Sequence, residues 1–236
     1  IANLGEYKTT KEKGAHLRDQ IGRVWGRGAG DQEGAIAAMV YSAKVMRDLR
    51  VDLSEYSIIF TCTVMEEDCD GLCWQYIINE DKIRPDAVVV TDSTNCWILR
   101  GQRGRMEIGV TCRGRSCHGS MPDKGDNAVY KIAKIVQEVE KLHAQLRSDP
   151  FLGKGTITVS YVDCKTPSLC AVPAQAYIHL DRRLTVGESK TMAIAQVKDI
   201  VRQAGVRAKV EVLRYAEPSY TGLVYETEKY FPSWCE

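Results

Sequence analysis

The chain has 236 residues, 44% of them hydrophobic, and its 32 Lys and Arg residues nearly balance 31 Asp and Glu residues. This length is sufficient for a sizeable core and two domains. The net charge of +1 gives no electrostatic reason to expect nucleic acid or an anionic membrane as a partner, and no apolar run approaches the roughly 18 residues of a membrane span.

The nine cysteines indicate a reducing compartment. Their number is odd, several fall inside predicted strands or helices, and their spacing is not that of a disulfide scaffold. We therefore expect free thiols and a cytoplasmic location. The chain starts at Ile1 and ends at Glu236, just after a fresh segment begins, so we expect it to be part of a longer polypeptide, truncated at both ends.

The N-terminal part of the chain is predicted to be a loop, then a glycine-rich turn, then a helix. His16 in the loop lacks a second candidate ligand two or four residues away, which favours a surface position over a metal site. The turn at 26–34 places Asp31 at the start of a helix with helically spaced apolar residues from Ile36 onward. Asp31 could either cap this helix or bind a ligand. The turn lacks both phosphate-binding glycine patterns and carries an acid where an anion would bind, so phosphate binding is disfavoured.

Two runs rich in β-branched residues, 57–64 and 86–92, flank a segment with helical periodicity and predict a βαβ unit with parallel strands. Carboxylates follow both strands: Glu66 and Glu67 after the first, and Asp92 at the end of the second. Ligands of open parallel sheets bind outside the carboxyl ends of the strands. Acids that converge there resist ionisation unless a cation compensates them, so the pattern predicts a metal site. A solvated acidic turn is the alternative interpretation of the Glu-Glu pair alone.

From Arg105 the pattern changes and predicts a second domain with the element order β-α-β-β-α-β. The strands are predicted at 106–113, 156–162, 174–180 and 208–213, and the helices at 126–146 and 188–204. This order is the ferredoxin-like unit, a four-stranded antiparallel sheet with two helices on one face. Because α/β elements precede it and a fresh segment follows it, we interpret it as an insertion. The expected boundaries are 1–104 and 218–236 for the α/β domain and 105–217 for the inserted domain.

His118 lies in a predicted loop, residues 117–127, that contains two glycines and one proline. A histidine in such a loop is free to reach outward, as a core histidine is not, and is a candidate functional residue. His143 on a predicted helix and His179 in a predicted strand are interpreted as packing or surface residues. A cysteine nucleophile at Cys117 beside His118 is disfavoured, because neighbouring residues at a strand end seldom aim at each other and no orienting acid is evident.

Taken together, five motifs resemble the di-zinc amidohydrolases that include acetylornithine deacetylase, succinyl-diaminopimelate desuccinylase and carboxypeptidase G. The motifs are Gly26-Arg-Gly-Ala-Gly-Asp31, Glu66-Glu67, Asp92, Arg103-Gly104 and His118-Gly-Ser-Met-Pro-x-x-Gly-x-Asn127. Each motif alone is weak, whereas five in the family's order are specific, and they span nearly the whole chain. The subgroup related to acetylornithine deacetylase is the most similar. The resemblance implies a parallel-sheet zinc-hydrolase catalytic domain of the α/β class, incomplete here, with an inserted ferredoxin-like dimerisation or lid domain.

The resemblance implies hydrolysis of an amide bond in an N-acyl amino acid or small peptide. It implies two Zn²⁺ ions per subunit, with Co²⁺ or Mn²⁺ as substitutes. Asp31 would bridge the two metals, Glu67 would bind one and Asp92 the other. Glu66 would be the general base that takes a proton from the metal-bridging water and returns it to the leaving amine.

The inserted domain carries the other roles that the resemblance implies. The protein would be a homodimer through this domain, and His118 would cross the interface to stabilise the oxyanion in the partner's site. Arg183 resembles the arginine that clamps the substrate carboxylate with its planar guanidinium. Asn127 is implied as a further substrate-binding residue.

The chain departs from the family pattern in four respects. No His-x-Asp motif precedes Asp31, and the family's last histidine ligand lies beyond the end of this chain, so neither metal would have its usual three protein ligands here. Glu33 stands where a lysine is common, and Cys170 stands where an asparagine often contributes to substrate binding. A non-catalytic fragment or relative that serves as a binding or dimerisation module is therefore the alternative to the enzyme.

Overall fold

A computed structural model describes residues 17–18, 24–26, 28–64, 66, 70–92 and 94–235. The chain divides into two compact units, Ile1–Ile98 and Leu99–Glu236. In the described ranges no helix is both long and apolar enough to cross a membrane.

The first unit has two helices and two short strands where it is described. Its elements are β1 (Leu17–Arg18), β2 (Val24–Trp25), α1 (Glu33–Asp48) and α2 (Leu72–Asn79). β1 and β2 pair antiparallel, with Leu17 opposite Trp25. Both helices lie where the 3.6-residue periodicity predicts them.

The glycine-rich turn before α1 fixes where that helix starts. Gly28 has a φ of 79°, in the left-handed region that favours glycine. Its carbonyl accepts the Glu33 N–H at 2.8 Å, and a Cβ atom at Gly28 would lie 2.7 Å from Glu33 Cδ. α1 then begins at Glu33, with Gln32 as its N-cap residue.

The predicted parallel strands on either side of α2 are not observed in the described part of the chain. Residues 51–63 and 82–92 belong to no strand, although the mixed α/β class itself is confirmed. The physical reason is that parallel strands need neighbours on both sides and cover on both faces. In this chain the apolar side chains of both runs remain exposed, Ile59 at 59% and Val89 at 91%.

The second unit contains the predicted β-α-β-β-α-β order with short strands added around it. Its elements are β3 (Gly101–Gln102), β4 (Gly104–Arg113), α3 (Ala128–Gln145), β5 (Ser148–Asp149), β6 (Gly153–Lys154), β7 (Thr156–Lys165), β8 (Gln175–Leu184), α4 (Lys190–Gln203), β9 (Ala208–Val212), β10 (Arg214–Tyr215), β11 (Thr227–Glu228), β12 (Tyr230–Phe231) and β13 (Trp234–Cys235). A short 3₁₀ helix, Pro122–Lys124, lies in the loop between β4 and α3. All six elements of the ferredoxin-like unit are therefore present in the predicted order.

The main sheet has the strand order β9, β4, β8, β7, and every pair in it is antiparallel. In the centre, Val110 of β4 lies opposite Ile178 of β8 on one side and Val210 of β9 on the other. β12 continues the β9 edge, because Tyr230 pairs with Met106 nearer the start of β4. This is the strand arrangement of the predicted ferredoxin-like unit.

One face of this sheet and two helices form the core of the second unit. Burial alternates along β8, so that one set of its side chains is enclosed and the other lies on the opposite, open face. Each enclosed aliphatic side chain contributes roughly 1.5–3 kcal/mol. The central core residues are Met106, Ile108, Val110, Ile132, Ile135, Val139, Ile157, Ile178, Leu180, Leu184, Val197 and Ile200. The apolar faces of the strands, with a period of two residues, and of the helices, with a period of 3.6 residues, thus pack against each other in a single layer.

A buried ion pair closes the turn between β8 and α4. Arg182 and Glu188 are both buried, and the guanidinium donates to the Glu188 carboxylate. The same carboxylate accepts the Thr185 N–H at 2.8 Å. Because both charges are paired inside the protein, this pair fixes the turn that starts α4.

The two ends of the second unit lie side by side. β3 pairs antiparallel with β13, with Gly101 opposite Cys235. The backbones approach so closely that a Cβ atom at Gly104 would lie 2.5 Å from the Phe231 carbonyl oxygen. Glycine is therefore required at this point for the outgoing segment to run along the incoming one.

Candidate functional site

Asp31 lies immediately before α1 and is exposed. The N-cap residue of the helix is Gln32 rather than Asp31, and its side chain makes no capping hydrogen bond. The peptide bond between Asp31 and Gln32 is cis. Of the two roles that the sequence leaves open for Asp31, the N-cap position is thus taken by its neighbour.

A long-range hydrogen bond connects the surroundings of Asp31 and Asp92. Thr91 Oγ1 donates to Gln32 Oε1 at 2.7 Å, between residues 59 positions apart. Asp31 precedes Gln32, and Asp92 follows Thr91. Two of the predicted metal-binding carboxylates therefore belong to segments that meet in the first unit.

The Glu66-Glu67 pair is described in part. Glu66 is helical and exposed, and its carbonyl oxygen accepts the Asp70 N–H at 2.8 Å. Glu67 lies outside the described residues, so its predicted role as a metal ligand stays a prediction. Within the described ranges, no three His, Cys, Asp or Glu side chains are grouped closely enough to hold a metal ion.

His118 lies in the loop between β4 and α3, and its side chain is exposed. Its backbone forms an antiparallel bridge with Ala171, and the next N–H, of Gly119, donates to the Cys170 carbonyl at 2.7 Å. The imidazole Nδ1 lies 2.7 Å from Ser120 Oγ and 3.2 Å from the Ser120 backbone nitrogen. The loop thus holds one edge of the ring, and the catalytic role of His118 stays a prediction.

Asn127 is the N-cap residue of α3. Its Oδ1 accepts the N–H groups of Val129 at 2.9 Å and Tyr130 at 3.3 Å. This contact satisfies two N–H groups that the first helical turn leaves without partners. A substrate-binding role for Asn127 would therefore use its amide Nδ2, and it stays a prediction.

Arg183 lies on the open face of the sheet, in β8. Its Nε and Nη2 donate to the two carboxylate oxygens of Asp181 at 2.8 and 3.0 Å. This is the bidentate geometry that the guanidinium would also offer a substrate carboxylate. A substrate carboxylate would have to compete with Asp181 for the guanidinium, and the clamp role of Arg183 stays a prediction.

Sequence reasoning missed a polar cluster on the open face of the sheet, centred on Glu107. This carboxylate is only 5% exposed and accepts hydrogen bonds from His179 Nε2 at 3.1 Å, Lys229 Nζ at 2.9 Å and Arg105 Nη2 at 2.7 Å. The ring of His179 also contacts Ser160 Oγ through Nδ1. The cluster ties β4, β7, β8 and the segment before β12 together. The only indication of this cluster in the sequence was Glu107 itself, an acid within the otherwise apolar strand β4.

Hydrogen bonding sets the protonation state of Glu107. The bond from His179, followed by the bond and the charge of Lys229 and the charge of Arg105, lowers the pKa of Glu107 from 4.5 to about 2, against the effect of burial. Glu107 is therefore a carboxylate at neutral pH. His179, interpreted from the sequence as a packing or surface residue, serves as one of its donors.

The family comparison matches the second unit of this chain. A family model described as a peptidase dimerisation domain matches residues 100–209. The Escherichia coli (strain K12) protein YgeY is 47% identical over 234 residues, which cover 99% of this chain and 57% of YgeY. Succinyl-diaminopimelate desuccinylase of Buchnera aphidicola is 23% identical over 215 residues, which cover 87% of this chain and 57% of that enzyme. The chain thus spans little more than half the length of these relatives.

A solved structure shares the fold of both units. The tripeptidase of Staphylococcus aureus matches 94% of this chain and 55% of its own, with a TM-score of 0.63 and 17% sequence identity. At this identity the likeness concerns the fold alone. It agrees with the mixed α/β architecture described above.

Proposed function

We propose that the protein is a metal-dependent hydrolase of amide bonds. The premise is that residues 100–209 are a peptidase dimerisation domain of the M20 type. Its substrate would be an N-acyl amino acid or a small peptide. The observation that carries the proposal is the Thr91–Gln32 hydrogen bond, which joins the segments bearing Asp31 and Asp92. The hydrolases among the relatives support the same reaction class.

Asp31, Glu67 and Asp92 would hold the metal ions. Carboxylate oxygens are common ligands of Zn²⁺, and Co²⁺ or Mn²⁺ are the expected substitutes. When bound, a metal pair polarises the scissile carbonyl and lowers the pKa of water. The exposure of Asp31 and Asp92 at the meeting point of their segments fits such a donor set.

The protein's own groups would handle the proton and the substrate. Glu66, one residue before a proposed ligand, would accept a proton from the attacking water and return it to the leaving amine. His118 would donate a hydrogen bond to the oxyanion of the partner's site. Arg183 would bind the substrate carboxylate, with Asn127 as a neutral hydrogen-bond donor.

The second unit would form the homodimer, and β7 is the element that favours this. Within the described residues β7 pairs only with β8, so its outer edge carries unpaired backbone groups. Tyr161 and Val162 on this strand are 57% and 58% exposed. A long edge strand with exposed apolar side chains suits pairing with a second copy about a two-fold axis.

A cytoplasmic location is part of the proposal. All eight cysteines within the described ranges are free thiols, and free thiols predominate in reducing compartments.

Metal removal tests the proposed reaction. We expect the purified full-length protein to lose hydrolysis of a panel of N-acyl amino acids and dipeptides on chelation, and to regain it with Zn²⁺ or Co²⁺. In the variant Glu66→Gln, turnover should fall by roughly 10²–10⁴-fold with metal content unchanged, whereas Asp31→Ala should lower both. Glu55→Gln, an exposed acid of the same unit, is the control. Hydrolysis that persists unchanged in excess chelator contradicts the proposal.

A non-catalytic dimerisation module is the second candidate. It is favoured by one observation, that Asp31, Glu67 and Asp92 alone leave each metal short of the usual three protein ligands. The same experiment separates the two candidates. A protein that is dimeric but neither binds Zn²⁺ nor hydrolyses any member of the panel would be the module.

A further inference from the structure

We infer that Ser120 is a positioning residue that holds His118 in the tautomer with its hydrogen on Nε2. His118 would then meet a substrate as a hydrogen-bond donor and not as a base. This inference rests on the proposed function for its catalytic consequence, but the tautomer itself follows from the contacts of the loop.

The contacts at Nδ1 decide which nitrogen carries the hydrogen. The Ser120 backbone nitrogen lies 3.2 Å from His118 Nδ1, and a backbone N–H can only donate. Nδ1 must therefore offer a lone pair, and in a neutral imidazole the hydrogen is then on Nε2. Ser120 Oγ, 2.7 Å from the same Nδ1, can donate its hydroxyl hydrogen to the same lone pair.

The backbone around His118 is fixed from two sides. The Met121 N–H donates to the His118 carbonyl at 2.9 Å and closes a turn around Ser120. On the other side Gly119 packs on Cys170, where a Cβ atom at position 119 would lie 2.8 Å from the Cys170 carbonyl oxygen. The side chain of His118 nevertheless remains exposed. Nδ1 is thus the ring nitrogen that the loop holds, and Nε2 is the ring nitrogen that remains available to a ligand.

This arrangement matches what an oxyanion requires. Stabilisation of a developing negative charge needs a donor that is oriented before the reaction begins. An imidazole without a partner at Nδ1 would exchange between two neutral tautomers, and only one of them carries a hydrogen on Nε2. The Ser120 N–H disfavours the unsuitable tautomer, because it can only donate and needs a lone pair on Nδ1. The Ser120 hydroxyl, which can donate or accept, then donates to the same nitrogen.

Nitrogen NMR of the histidine rings tests the inference directly. The chain has four histidines, and the spectrum of His118→Gln assigns the signal of His118. Two-bond ¹H–¹⁵N correlations should show the Nε2–H tautomer in the unmodified protein and a weaker preference for it in Ser120→Ala, which keeps the backbone N–H at position 120 but loses the hydroxyl contact. Ser120→Thr, which keeps the hydroxyl, should restore the original pattern. Ser168→Ala is the matched control, because Ser168 Oγ accepts the Cys170 N–H at 3.1 Å in the facing loop and does not touch the ring.

Kinetics give the second measurement. Ser120→Ala should lower kcat by about threefold to tenfold, the effect of one hydrogen bond, with KM little changed. Ser120→Thr and Ser168→Ala should stay near the unmodified rate. An Nδ1–H tautomer in the unmodified protein, or an even mixture of the two tautomers, overturns the inference. The spectra decide this whether or not the protein hydrolyses the panel, so failure of the proposed function remains a separate result.

Discussion

Thr91 and Gln32 are joined by a 2.7 Å side-chain hydrogen bond that links residues 59 positions apart in the first unit. The bond lies between the segment ending at Asp92 and the start of α1, next to Asp31. The positions of the two carboxylates are therefore coupled through their neighbours.

Replacing Thr91 with Val tests this coupling. Valine has the shape of threonine without the hydroxyl, so Gln32 Oε1 loses its donor. We expect the free energy of unfolding to fall by about 1 kcal/mol and the affinity for Zn²⁺ to fall measurably. Urea unfolding and calorimetric metal titration provide the two values. Thr94→Val on the same segment is the control, and equal Zn²⁺ affinity in both variants would show that the bond does not organise the carboxylates.

Glu107 should make the stability of the protein depend on pH in the acid range. Its pKa is about 2 in the folded protein against an ordinary value of 4.5. A carboxyl group with a lowered folded pKa stabilises the fold above the unfolded value, and this contribution is lost as the pH falls through the folded pKa. We expect a loss of about 3 kcal/mol between pH 5 and pH 2, since each pKa unit corresponds to about 1.4 kcal/mol.

The variant Glu107→Gln isolates that contribution. It should be less stable than the unmodified protein at pH 7 and should show a flatter dependence below pH 5, measured by urea unfolding at several pH values. Glu211→Gln is the control, because Glu211 pairs with Lys209 at the surface and such pairs contribute little. A steep acid dependence that survives in Glu107→Gln would place the titrating group elsewhere.

The outer edge of β7 is expected to carry the dimer contact. Val162→Lys introduces a charge there and should shift the protein towards the monomer, as edge lysines oppose strand pairing. Light scattering after size-exclusion chromatography measures the mass. Val224→Lys, at an exposed apolar position elsewhere in the second unit, should leave the mass unchanged. A Val162→Lys protein that is still fully dimeric would exclude this edge.

The second unit was predictable because its patterns are local and complete. The alternation of apolar residues along β8 and their helical spacing in α3 each mark the face of the element that packs in the core. That core is formed entirely within the second unit. The runs at 57–64 and 86–92 have equally strong patterns, yet form no strand in the described residues. A strand is completed by its neighbours, and a sequence pattern does not state whether those neighbours are present.

The contacts around the candidate site could not be read from the sequence. Asp31 and Asp92 lie on segments that meet through Gln32 and Thr91, which no motif marks, and the roles of the two carboxylates as metal ligands stay predictions. The Glu107–His179 hydrogen bond was missed, because it joins residues that are 72 positions apart and lie on two different strands. Cross-strand side-chain pairs depend on register, which becomes known only when the sheet is assembled.

The pairing of β3 with β13 places the first and the last strand of the second unit side by side. Paired strands lie only about 4.8 Å apart, so the two ends of this unit are neighbours. Ends this close can be joined by a short linker while new ends are opened in an exposed loop, so the second unit is suited to circular permutation.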